Sequence, residues 1–96
     1  MRFPIRVFKV KDQTMEPILK VGQYVVVSGM LGDVKEGDVV MFRHPYRKAN
    51  LIKRVKKIEK GKYFLVGDKN TPLGEDSREF GHIEPRDIIG KVVLGR

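Results

Sequence analysis

Short β-branched and aromatic runs, set off from one another by turn residues, constrain this chain more than any other feature. Tyr24-Val25-Val26-Val27, Val39-Val40-Met41-Phe42, Leu51 to Ile58, Tyr63-Phe64-Leu65-Val66 and Ile88 to Leu94 all read as strands. Side chains branched at Cβ pack well on a pleated surface and lose rotamer freedom in a helix. The breaks between the runs carry turn chemistry: Lys20-Val21-Gly22, Lys35-Glu36-Gly37-Asp38, His44-Pro45, the hairpin signal Lys60-Gly61, and a long polar loop from Lys69 to Gly81. Residues 3–10 also alternate, with Phe3, Ile5 and Val7 on one face and Arg2 and Arg6 on the other. That pattern predicts a half-buried strand, placed at an edge by Pro4. Phe8 and Val10 fall out of phase with it, which predicts a bulge or bend before Thr14. No internal repeat and no long amphipathic helix interrupts the series. The expected fold is therefore mainly β, a small folded-over sheet or barrel with one short helical turn. At 96 residues, a single domain spanning 1–96 is expected.

Composition narrows the function classes. No apolar run approaches the ~20 residues needed to cross a bilayer, and residues 1–6 lack the apolar core of a secretory signal. A soluble, cytoplasmic protein is expected, with peripheral membrane attachment as the alternative. The chain has no cysteine, so disulfides, thiolate nucleophiles and cysteine metal sites are excluded. His44 and His82 are single, lack metal-ligand spacing and are expected in exposed loops. No metal and no cofactor is expected. The acidic residues form no pair suited to glycoside or aspartyl chemistry, and no glycine loop is built to cradle phosphate. The formal net charge of +8 attracts nucleic acid, anionic lipid or acidic protein. Against nucleic acid, only Tyr46 and Tyr63 lie near the basic residues Arg47-Lys48 and Lys53 to Lys62 for base stacking.

Two residues carry chemistry. Thr14 precedes a Met-x-Pro turn, Met15-Glu16-Pro17. It can cap a short helical turn starting at Glu16-Pro17, or present its hydroxyl at the edge of a sheet. Lys53 lies in the third β run. Leu51, Lys53 and Val55 share one face, and Ile52, Arg54 and Lys56 the other. A lysine between two apolar neighbours can snorkel to water. If it is buried instead, its pKa falls, by up to ~3–5 units when burial is complete. The neutral amine can then take a proton from a hydroxyl.

Four segments, in order, resemble the boxes of the type I signal peptidase family, serine proteases with a Ser-Lys dyad. They are Gln13-Thr14-Met15-Glu16-Pro17-Ile18-Leu19; Glu36-Gly37-Asp38-Val39-Val40-Met41-Phe42-Arg43-His44-Pro45; Leu51-Ile52-Lys53-Arg54-Val55; and Gly67-Asp68-Lys69-Asn70 followed by Asp76-Ser77-Arg78-Glu79-Phe80-Gly81. Where larger members insert a second domain, between Arg54 and Gly67, this chain has only a hairpin. The resemblance implies a minimal catalytic core of the signal peptidase type. In size and lack of an anchor it is similar to the small maturation proteases that remove a leader from one protein, such as nickel superoxide dismutase.

What the resemblance implies about residues is specific. Thr14 holds the nucleophile position and Lys53 that of the general base. The N–H at position 14 would serve the oxyanion hole. Residues 8–13 and 50–52, with Gln13, Met15, Leu51 and Ile52 among the contacts, would bind an extended peptide by strand addition. Met15 would help line a pocket for a small side chain. Asp76 and Arg78 would form an ion pair holding the last loop over the lysine. Gly37-Asp38 and Gly67-Asp68 read as turn chemistry.

Three positions depart from the family pattern. Thr14 replaces serine, and its extra methyl restricts χ1 and crowds the carbonyl's approach. Asp12 stands where some members place a serine hydroxyl in the oxyanion hole, and an ionised carboxylate opposes developing negative charge. Gly74 aligns with a serine that contacts the lysine in some members. The expected function is a leader-removing endopeptidase cutting after a small residue. The alternatives are a weakened or inactive relative that binds extended peptides, and a small basic barrel that binds nucleic acid.

Overall fold

A computed structural model describes residues 5–11, 13–29, 34–69, 71 and 75–95, with 94 and 95 by backbone alone. The expectations placed on Arg2, Phe3, Pro4, Asp12, Asn70 and Gly74 lie outside the described residues. The strands are β1 (Ile5–Lys9), β2 (Tyr24–Ser28), β3 (Val39–Arg43), β4 (Asn50–Glu59), β5 (Lys62–Val66) and β6 (Ile88–Gly95). They form one sheet in the order β1-β2-β6-β3-β4-β5, each pair antiparallel. The mainly β expectation holds, and every predicted run is a strand.

Apolar side chains from the two faces of the sheet enter two cores. Val40 and Phe42 of β3 join Leu51, Val55, Leu65, Ile83 and Ile88 in one. Met41, the residue between them, joins Val10, Met15, Leu19, Val25 and Val27 in the other. A strand with apolar cover on both faces cannot alternate, so β3 reads as an unbroken apolar run. β4 is long enough to serve two neighbours. It pairs with β3 through Asn50–Arg54 and with β5 from Arg54 onward, with a register shift between Val55 and Lys57. The hairpin between β4 and β5 turns on Lys60 and Gly61, both at positive φ (53° and 75°), the geometry of a two-residue turn matched to strand twist.

β1 differs from expectation. Ile5 and Val7 are 55% and 63% exposed, while Phe8 packs against the core that buries Val10. The buried face is the one that Arg6, Phe8 and Val10 share. No phase break is therefore needed, and β1 and β2 pair in register from Ile5 to Lys9 without a bulge. Alternation identified two faces but could not say which one the core would cover.

The short helical turn lies at Ser77–Phe80 (α1), capped by Asp76, and a 3-10 turn follows at Pro85–Asp87. No helix begins at Glu16. Residues 13–19 are a turn closed by Glu16 N–H to the Gln13 carbonyl (3.2 Å) and Leu19 N–H to the Met15 carbonyl (2.9 Å). The Glu16-Pro17 peptide is cis. The helix-cap reading of Thr14 fails with it. His44, expected in the open, is half-buried with its ring edge-on to Phe80. His82 is exposed and paired with Glu59 at 2.9 Å.

Candidate active site

The turn after β1 and the middle of β4 bring two polar side chains together inside the protein. Lys53 donates from Nζ to Thr14 Oγ1 at 3.0 Å, across 39 residues of sequence. Lys53 is 0% exposed and Thr14 2%. The reason for Lys53 is the period of its strand. Its neighbours on the same face, Leu51 and Val55, are both buried in one core, so its stem follows them inward. Snorkelling is ruled out by full burial. Thr14 is drawn in by its successor, because Met15 is 1% exposed and anchors the turn in the other core.

A loop from further along the chain closes over Thr14. Lys69 N–H donates to the Thr14 carbonyl at 2.8 Å. Gly67 lies so near that a Cβ built on it would be 3.1 Å from Thr14 Cβ. Gly67, expected as turn chemistry, is not at positive φ; the structural need for glycine there is close approach. Two ion pairs hold this loop. Arg54 meets Asp68 through two bonds, Nε to Oδ1 at 2.8 Å and Nη2 to Oδ2 at 2.7 Å, and its Nη1 donates to the Gly37 carbonyl at 2.7 Å. The Arg78 guanidinium donates to Asp76 Oδ2 at 2.6 Å.

Asp76 is fully buried, yet it remains an acceptor of many bonds. Besides the guanidinium it takes Arg78 N–H at 3.0 Å and Gly67 N–H at 3.3 Å. Burial pushes its carboxyl up, but the bonds from Arg78 and from the Gly67 backbone outweigh that and hold it below the usual carboxylate value. Asp76 thus links α1 to Gly67, which touches Thr14. Beside it, Ser77 Oγ accepts the buried Leu65 N–H at 2.9 Å. The sequence reading missed Gly67, Arg54, Asp68 and Ser77 as supports. Their partners are nine or more residues away, beyond the reach of a local pattern.

A cleft of about 320 Å³ lies beside the pair. Phe8 to Lys11 wall one side, Asn50 to Ile52 the other, and Met15, Leu19 and Met41 complete it. Its lining includes the residue next to each polar partner, Met15 and Ile52, rather than Thr14 and Lys53 themselves. Of the expected peptide contacts, Met15, Leu51 and Ile52 line the cleft, while Gln13 is exposed outside it. Among the described residues, no three His, Asp or Glu are grouped to hold a metal, and no helix is long and apolar enough to cross a membrane.

A comparison with curated proteins returns no significant match. Residues 1–58, which contain Thr14, both walls of the cleft and Lys53, match the family described as signal peptidase, peptidase S26. An amine and a hydroxyl brought into contact beside an open cleft, within a stretch that matches this family over more than half the chain, lead to one conclusion: the protein belongs to the signal peptidase family.

Proposed function

We propose that this chain is an endopeptidase that removes a leader segment after a small residue, with Thr14 as nucleophile and Lys53 as general base. The observation that carries the reading is the 3.0 Å bond between Lys53 Nζ and Thr14 Oγ1, made by an amine with no exposed surface. Burial disfavours the ammonium form, so the amine is suited to receive the hydroxyl proton. Oγ1 then attacks the scissile carbonyl carbon, and the tetrahedral oxyanion forms. The ammonium returns the proton to the leaving nitrogen as the C–N bond breaks. Water, deprotonated by the same amine, hydrolyses the Thr14 ester. By family resemblance the Thr14 N–H supports the oxyanion. The substrate lies extended between residues 8–11 and 50–52, and Met15 bounds the pocket for its small side chain. The small maturation proteases offer a functional analogy for this reading.

A second reading is a relative that binds extended peptides without cutting them. The near-complete burial of the Thr14 hydroxyl favours it, since a nucleophile must meet its substrate.

One experiment separates the two. A leader-like peptide with a small residue at the cleavage point is incubated with wild type, Thr14→Ser and Lys53→Ala. Catalysis predicts faster cleavage by Thr14→Ser, loss in Lys53→Ala, and a rate that rises towards alkaline pH as the amine loses its proton. Binding without turnover in all three supports the second reading and sinks the first.

A further inference from the structure

We propose that the cleft continues into a basic subsite, formed by Arg6 and Arg43, that reads an acidic side chain of the bound segment. This rests on the cleft being the peptide site. Both walls change character at the same level. Along β1 and the residue that follows it, one face carries Val10, Phe8 and Arg6 in turn; the first two line the apolar cleft and the third lines an adjoining pocket of about 290 Å³. On the opposite wall, the cross-strand pair Met41 and Ile52 lines the apolar part, and two residues further along, the pair Arg43 and Asn50 follows. Asn50 lines both spaces, and Arg43 lines the second with Arg6. The two spaces thus adjoin at Asn50.

The direction of the walls supports a continuous occupant. β1 and β4 are separated by four antiparallel pairings, β1-β2-β6-β3-β4, so they run the same way. Both lead from the basic pocket towards Thr14 and Lys53. An extended segment between them follows both strands at once.

The charge points to one kind of side chain. Among the described residues, neither guanidinium has a carboxylate partner. Arg43 and Arg6 are exposed and converge on one pocket, so a carboxylate entering it would meet forked donors without displacing an existing ion pair. The distance sets the position. Asn50 is three residues from Lys53, roughly 10 Å of strand. The acidic residue would therefore lie about three to five residues from the scissile bond.

The test uses the full chain and short synthetic peptides with alanine at the cleavage point. Pairs differ only by Glu or Gln at the fourth residue, placed before or after that point. Affinity and amide shifts are read by NMR titration for wild type and for the double variant Arg6→Gln, Arg43→Gln. The Glu peptide of one orientation is expected to bind about fivefold tighter than its Gln partner. The double variant should abolish that preference and leave the Gln peptide's affinity unchanged. The orientation that responds gives the direction of the bound chain. Equal binding of Glu and Gln peptides in both orientations, with shifts at Phe8–Lys11 and Asn50–Ile52, overturns the subsite and leaves the cleft standing. A Glu preference that survives in the double variant also overturns it, since bulk positive charge would explain it. If neither peptide shifts those cleft amides, the peptide-site reading itself fails and takes the subsite with it.

Discussion

Gly67 is packed directly on Thr14, close enough that a methyl group on Gly67 would stand 3.1 Å from Thr14 Cβ and 3.3 Å from its carbonyl oxygen. The contact joins the nucleophile candidate to a loop more than fifty residues away in sequence. That loop is held by the Arg54–Asp68 and Asp76–Arg78 pairs. The position of the hydroxyl is thus an outcome of the loop's packing as well as of its own turn.

Gly67→Ala tests that contact. The added methyl must displace the Thr71 hydroxyl, which it would strike, and it also presses on Thr14, which must give by a few tenths of an ångström. Overpacking of this kind costs about 1–3 kcal/mol, read as a lower urea midpoint. Thr71→Ala in the same chain should recover part of the loss by clearing one of the two obstacles. A Gly67→Ala protein as stable as wild type would show that the loop does not bear on Thr14.

Lys53→Met separates packing from chemistry. Methionine fills much of the lysine stem's volume and needs no proton partner. Methionine makes no bond to the buried Thr14 hydroxyl, and a buried polar group left without its partner costs about 1–3 kcal/mol, so stability should fall by about that much and no further. Lys53→Ala leaves a cavity and should cost about 2–5 kcal/mol. Neither should cleave peptide. Cleavage by Lys53→Met at the wild-type rate would remove the lysine from the mechanism.

Asp76 predicts an acid-sensitive fold. Its carboxyl is held below the usual value in the folded state, so the folded protein favours the ionised form more than the unfolded chain does. That contribution is complete above the ordinary carboxylate range. It is lost as pH falls through that range to the lower value of the folded state. Urea midpoints at pH 7 and pH 3 should therefore differ less for Asp76→Asn than for wild type. Some acid dependence should remain, because Asp38 and Glu59 are also lowered. An unchanged difference would mean that Asp76 contributes nothing to it.

The β architecture was readable from the chain because strand-forming side chains and turn residues are local signals. Each of the five runs between Tyr24 and Leu94 lies within a strand, and Lys60-Gly61 turns as its residues demand. The face assignment in β4 was also local: period two puts Lys53 with Leu51 and Val55. What alternation could not supply was the sidedness of a strand flanked by apolar residues on both faces. In β1 it favoured Ile5 and Val7, and the core covers Phe8 and Val10 instead. Similarly, a proline-containing turn after Thr14 was legible, but its cis, non-helical form was not.

By itself the sequence determined the strand-rich fold, the period that aims Lys53 at an apolar face, and the ordered boxes that mark the family. Those properties depend on neighbours within a few residues, or on resemblance. Only the tertiary structure decided that the amine is wholly buried, that it meets Thr14, and that Gly67, Asp68 and Asp76 brace the meeting point. Contacts across 39 residues are set by how two cores share the faces of one sheet, and no local pattern encodes that sharing.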